Sequence, residues 1–220
     1  MRVLNKVSMV FCIVIVFMML SACEQINTQK LGTHSITKDR IHLVNSNIGV
    51  ATFAGGCFWC TEADFDKMPG VLSTTSGYIG GELISPTYDQ ISSGKTGHIE
   101  AVQIHYDSTK TNFTKLLTAY WQTIDPLTPN RQFCDGGSQY RSVVFYHDSD
   151  QKKKAEKSKA ALVSSGRFSQ PIVTEIKPAT EFYQAEDYHQ DYYIKNPIRY
   201  TYYRSSCGRD ERLKELWGNK

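Results

Sequence analysis

The chain has 220 residues, 40% of them hydrophobic and 21% charged, enough for one domain with a sizeable core and too few for two full ones. Its formal charge of +3 falls to about +1 if Arg2 and Lys6 leave with a leader, so the charge balance selects neither nucleic acid nor an acidic substrate.

Arg2 and Lys6 precede an apolar run over residues 7–20 whose length and flanks fit a secretory h-region and which is too short for a comfortable membrane span. The run ends in Leu20-Ser21-Ala22-Cys23, which resembles the bacterial lipoprotein cleavage box. We expect a lipoprotein-type signal peptide over residues 1–22, lipid on Cys23 and a polar tether over residues 23–48. An ordinary signal peptide with an incidental cysteine is the alternative. The implied location is the bacterial cell envelope, facing the periplasm if the cell has an outer membrane. In an exported protein, disulfides are open to the four remaining thiols, Cys57, Cys60, Cys134 and Cys207.

The domain opens with an apolar strand over residues 50–54 that runs through Gly55-Gly56 into a helical pattern. Phe58, Thr61, Glu62, Phe65 and Met68 recur at helical spacing until Pro69-Gly70 end it. Cys57 therefore sits at a helix N-terminus, where unpaired N–H groups and the helix dipole favour a thiolate. Cys57 and Cys60, at i and i+3, share one face of the first turn. That spacing suits a redox pair, half of a zinc site or a buried structural pair.

Further strands are expected over residues 71–78, 98–106, 140–147 and 172–176, with a helical turn over residues 87–91. Helices are expected over residues 111–123, 148–165 and 180–195. The stripe of Phe113, Leu116, Leu117, Tyr120 and Trp121 belongs to a core. Lys152, Lys153, Lys154, Lys157 and Lys159 make a solvated helix face. The segment 125–138, rich in Pro, Gly, Asn and Asp, has the length of a functional loop and contains Cys134. An irregular tail carrying Cys207 follows Pro197. Strands separated by helices suggest a sheet covered by helices.

Several motifs stand in one order: Gly55-Gly56-Cys57-Phe58-Trp59, Gly77-Tyr78-Ile79-Gly80-Gly81, Pro86-Thr87-Tyr88, Gly94 to Val102, Gln139-Tyr140-Arg141-Ser142 and Ala185-Glu186-Asp187-Tyr188-His189-Gln190. In this order they resemble A-type peptide-methionine sulfoxide reductases over residues 49–197. The resemblance implies an α+β domain, a two-layer α/β roll with a mixed sheet, a ferredoxin-like plait, and a tail over residues 198–220 wrapping the domain. It implies reduction of the S epimer of methionine sulfoxide, free or in peptides, by a monomer. No metal or organic cofactor is implied; a thioredoxin-like or other dithiol donor recycles the enzyme.

By resemblance Cys57 attacks the sulfoxide sulfur while Glu100 protonates the oxygen, which Tyr88 and Tyr140 hydrogen-bond. Phe58 and Trp59 wall the substrate methyl, and Asp135 orients the polar part of the site. The chemistry is sound by itself, because a carboxyl among apolar and phenolic groups is pushed toward its protonated form. The sulfenic acid left on Cys57 needs a resolving thiol. Here the chain departs from the commonest family pattern, which has Gly in place of Cys60. Helix spacing favours Cys60 as first resolver, with Cys207 as a relay and Cys134 a partly buried free thiol. His98 and His189 lack metal-ligand spacing and read as structural. The competing readings are a general dithiol–disulfide oxidoreductase and a non-enzymatic lipoprotein whose cysteines form a zinc or disulfide staple.

Overall fold

The computed structural model describes residues 47–218. The expected signal peptide, Cys23 and nearly all of the tether lie outside these residues. Strand β1 (Ile48–Ala54) leads into helix α1 (Phe58–Asp66), followed by β2 (Val71–Ile79), the short helix α2 (Tyr88–Ser92), β3 (Ile99–Asp107) and α3 (Phe113–Trp121). A two-stranded excursion, β4 (Arg131–Gln132) with β5 (Asp135–Gly136), and a 3-10 turn (Ser138–Tyr140) precede β6 (Val143–Tyr146), helix α4 (Ser149–Ser164), β7 (Glu175–Pro178) and β8 (Phe182–Gln184). Helices α5 (Tyr192–Lys195), α6 (Pro197–Ser206) and α7 (Arg209–Trp217) complete the described chain.

Six strands form one sheet in the order β7-β6-β1-β3-β2-β8. All neighbours are antiparallel except β6 and β7, so the sheet is mixed. Its central strands, β6-β1-β3-β2, are joined in the chain order β1-α1-β2-α2-β3-α3-β6, with β4 and β5 as an excursion before β6. Helix α1 lies against β2 and β3, and α3 against β1 and α4. Among the described residues no helix is long and apolar enough to cross a membrane.

The strand period of two decides which side chains meet these helices. Phe53 of β1 stacks with Phe65 of α1 and with Phe113 and Tyr120 of α3, at ring separations of 5.3, 5.8 and 4.8 Å. Val102, Ile104 and Tyr106 of β3 join this cluster. Ile99 and Ala101, of opposite parity, pack on the other face with Ala54, Ile79, Val143 and Phe145. Burying each large apolar side chain contributes about 1.5–3 kcal/mol. Asn112 and Asp148 start α3 and α4 by accepting from the N–H groups of Lys115 and Gln151, at 3.0 and 2.8 Å.

Three expected elements are corrected. The helix expected over residues 180–195 is a strand, a turn and the short α5. Residues 182–184 pair with β2 instead, an approach that Gly77 allows because a Cβ there would lie 2.4 Å from Phe182. Pairing with a sheet edge outweighs local helical periodicity. The strand expected over residues 172–176 is β7, displaced to Glu175–Pro178. The irregular tail is the helix pair α6 and α7, separated by Cys207 and by Gly208 at φ +67°. Its apolar Leu213 and Leu216 are buried, and Trp217 Nε1 donates to the Ile124 carbonyl at 3.0 Å. Cys134 is not a free thiol, for it forms a disulfide with Cys207 across 73 residues.

Candidate active site

The turn before α1 requires glycine at position 56. Gly56 has φ +83°, and a Cβ there would lie 2.4 Å from Gln132 Cβ. Gln132 is fixed in the 125–138 loop by a reciprocal pair of bonds with the backbone of Asp125, at 2.7 and 3.0 Å. Cys57 caps α1, its carbonyl accepting from Cys60 N–H at 3.1 Å. The two thiols share the first helical turn, as their spacing predicts, and both are free and buried.

Glu100 reaches the same place from β3. Its parity is that of Val102 and Ile104, so its carboxyl points toward α1, and Phe58 N–H donates to its Oε2 at 3.1 Å. Burial pushes the Glu100 carboxyl up to about 8, with the Asp135 charge adding and the Phe58 N–H opposing. At neutral pH it is mostly protonated.

A cavity of about 270 Å³ opens above these groups. It gathers seven of the expected residues, Cys57, Phe58, Trp59, Tyr88, Glu100, Asp135 and Tyr140, and adds Arg199 and Tyr203 from α6. Burial and the neighbouring Glu100 push the Tyr88 phenol up to about 12, and the same causes raise Tyr140. Both hydroxyls therefore stay neutral donors. Tyr203 donates to Asp135 Oδ2 at 2.5 Å and lies within hydrogen-bonding reach of Cys57. The sequence gives no sign of this tyrosine as long as its segment is read as irregular. Pro197 as the first helical residue is the signal that would have placed Arg199 and Tyr203 on one helical face.

The Glu186 to Gln190 motif holds the wall without touching the reacting atoms. Glu186 accepts from Tyr88 N–H and from the Tyr78 hydroxyl, both at 2.8 Å. His189 Nδ1 accepts from Trp59 Nε1 at 2.9 Å, and its ring lies against Phe58 and Tyr88. Burial lowers His189 to about 4, which keeps the ring neutral and able to accept. His98 is tied to Gly81 N–H and to the Leu83 carbonyl. Both histidines are framework residues.

The electrostatics correct one expectation. Burial raises the Cys57 thiol well above the usual range in the substrate-free site, as do its hydrogen bond to Cys60 and the charge of Glu100. Desolvation outweighs the helix terminus. Cys60 is lowered, chiefly by the Cys57 hydrogen bond, with the charges of Arg209 and Arg204 assisting. Those guanidiniums come from the C-terminal helices. Arg204 pairs with Asp64, one turn beyond Cys60, at 2.9 Å. Arg209 donates to the carbonyls of Gly55 and Thr123 at 3.1 and 2.7 Å.

Cys207 does not line the cavity, and its sulfur is engaged with Cys134. The disulfide instead joins the loop bearing Asp135 to the end of the helix bearing Tyr203. Cys134, Asp135 and Cys207 bring potential ligand atoms within 4.8 Å of one another, but the S–S bond uses both sulfurs.

Residues 49–220 match the family described as peptide methionine sulfoxide reductase. The chain is 52% identical over 171 residues to the peptide methionine sulfoxide reductase MsrA of Bacillus licheniformis, a match covering 78% of this chain and 94% of that protein. It is 49% identical over 175 residues to the MsrA of Listeria monocytogenes, covering 80% and 99%. Among solved structures it resembles reduced Mxr1 of Saccharomyces cerevisiae, with TM-score 0.66, 32% identity and coverage of 70% and 88%. Methionine sulfoxide reductase A of Corynebacterium diphtheriae gives TM-score 0.62 and 34% identity, covering 69% and 76%. With its strand-to-helix cysteine, its buried acid and this extent of likeness, the chain belongs to the peptide methionine sulfoxide reductase family.

Proposed function

We propose that this protein reduces the S epimer of methionine sulfoxide, free and within polypeptides, to methionine and so repairs oxidised proteins. The observation carrying this reading is the convergence of a cysteine, a buried carboxyl protonated at neutral pH and two neutral phenols on one aromatic-walled cavity. A sulfoxide is a poor electrophile until its oxygen is protonated, and these groups supply both halves of the reaction.

The Cys57 thiol passes its proton to Cys60, and its sulfur attacks the sulfoxide sulfur while Glu100 protonates the oxygen. Tyr88 and Tyr140 donate hydrogen bonds to that oxygen as charge develops on it. The substrate S–O bond breaks, the oxygen passes to Cys57 as the bond between the two sulfurs opens, and the thioether leaves; the substrate sulfur gains two electrons and Cys57, losing them, is left as a sulfenic acid. The Cys60 thiol then attacks the Cys57 sulfur, its proton passes to the departing hydroxyl, the S–O bond breaks and water leaves as the disulfide forms; Glu100 regains its proton from solvent. Arg204 and Arg209 favour loss of the Cys60 proton in this second step. A thioredoxin-like or other dithiol donor returns both thiols by exchange. Methyl against Phe58 and Trp59, oxygen against Glu100 and the phenols, and attack from Cys57 fix three directions about the sulfur. Such a site accepts one epimer.

The polar orientation of the site falls to Asp135, held by Tyr203. Residues 2–23 support an envelope location with lipid on Cys23. Loss of membrane association in Cys23→Ala would support it, and unchanged fractionation would remove it.

The activity is tested by a donor-free single turnover of the reduced protein on each epimer separately, with thiols counted afterwards. Methionine from the S epimer alone, with two thiols lost, is expected. No methionine from either epimer, with disulfide exchange retained, would replace the proposal by the general oxidoreductase.

A further inference from the structure

We propose that Arg199 is a specificity-determining residue, forming a subsite for a carboxylate that the substrate carries beside its sulfoxide, an inference resting on the reductase reading. Arg199 and Tyr203 stand one helical turn apart on α6, and both line the cavity. Arg199 is the one cation in that lining. The other lining groups are thiol, aromatic and phenolic side chains and the two carboxyls of Glu100 and Asp135.

Three observations separate Arg199 from a framework arginine. First, the arginines that follow it are all engaged: Arg204 with Asp64 and Asp210, Arg209 with two carbonyls, and Arg212 with Asp125 and Glu215. Arg199 is exposed and makes no hydrogen bond or ion pair among the described residues. Second, it occupies the first turn of a ten-residue helix, where the dipole opposes a cation, so its charge does not serve the helix. Third, its partner along the helix, Tyr203, is anchored to Asp135, which fixes the face of α6 that presents Arg199 to the cavity.

The guanidinium fork matches a planar carboxylate. Free methionine sulfoxide and a C-terminal residue supply that group as the α-carboxylate, and an Asp or Glu next to the oxidised methionine supplies it as a side chain. Neither source takes part in the electron or proton transfer, so the subsite acts on binding.

The test compares the protein and its Arg199→Gln and Arg199→Lys variants on two pairs of S-epimer substrates. One pair is N-acetyl-methionine sulfoxide and its amide. The other is an end-blocked tripeptide with methionine sulfoxide at its centre, flanked by Asp or by Asn. For the protein, kcat/KM should favour the anionic member of at least one pair, through KM. Arg199→Gln should lower that preference about tenfold, and Arg199→Lys should retain part of it. A preference confined to the first pair assigns the α-carboxylate, and one confined to the second assigns the side chain. Equal preference in the protein and Arg199→Gln, or no preference in the protein, would overturn the subsite while leaving the reductase reading intact. Failure to reduce any of the four substrates would overturn both.

Discussion

Replacing Glu100 by Gln separates the thermodynamic cost of the buried acid from its chemical use. Glu100 is 2% exposed, and its carboxyl is pushed from 4.5 to about 8. Below pH 4.5 the folded and unfolded chains both hold the proton, and its ionisation is not at stake. Between 4.5 and 8 the unfolded chain loses the proton while the folded chain keeps it, so stability falls as pH rises. The full difference, reached above pH 8, corresponds to about 5 kcal/mol. Gln has the same shape, accepts from Phe58 N–H through its amide oxygen and does not ionise. The stability of Glu100→Gln relative to the parent should therefore rise by about 5 kcal/mol from pH 4 to pH 9. The same change removes the acid, so single-turnover reduction should slow by about 10²–10⁴ with little loss of binding. Urea unfolding of both reduced proteins across that pH range, paired with rapid-quench turnover, reads both effects. A stability difference flat with pH would show that Glu100 is ionised in the native site. An unchanged turnover rate would remove it from the chemistry.

Four cysteines and one glycine give further tests. Cys57→Ser should yield no methionine even in a single turnover, and any methionine formed would move the nucleophile elsewhere. Cys60→Ser should release one methionine per protein and accumulate a sulfenic acid that a dimedone-type reagent labels; normal cycling with a dithiol donor would place the resolving thiol elsewhere. Opening the Cys134–Cys207 link by the double serine variant frees a loop of 73 residues, and loop entropy sets the loss at about 4 kcal/mol. Guanidinium unfolding checks this, and an unchanged midpoint would contradict a structural role for the bond. Gly56→Ala introduces a Cβ 2.4 Å from Gln132 at φ +83°, which should cost more than 1 kcal/mol and displace Cys57. Retained stability and rate together would refute that account of the turn.

The likeness to the reductase family carried the site residues into the sequence reading, but local geometry explains why they meet. The Gly55-Gly56 turn between an apolar strand and a helical stripe places Cys57 and Cys60 on one face of the first turn. The alternation of β3 places Glu100 on the face of Val102 and Ile104, beneath that turn. Both results follow from periods of 3.6 and 2 residues, which neighbouring side chains define by themselves.

Tertiary structure alone decided the rest. Residues 182–184 became a strand because the edge of β2 lay open to them. Cys134 and Cys207 were joined because a loop and a helix end meet across 73 residues of sequence. Arg199 and Tyr203 entered the cavity only because the tail forms α6, which contacts distant in sequence tie to the site, as with Tyr203 and Asp135, 68 residues apart. The electrostatics of the two cysteines also lay beyond local reading. A helix N-terminus is visible in sequence, whereas the desolvation that raises Cys57 and the guanidiniums that lower Cys60 come from residues brought together by the fold.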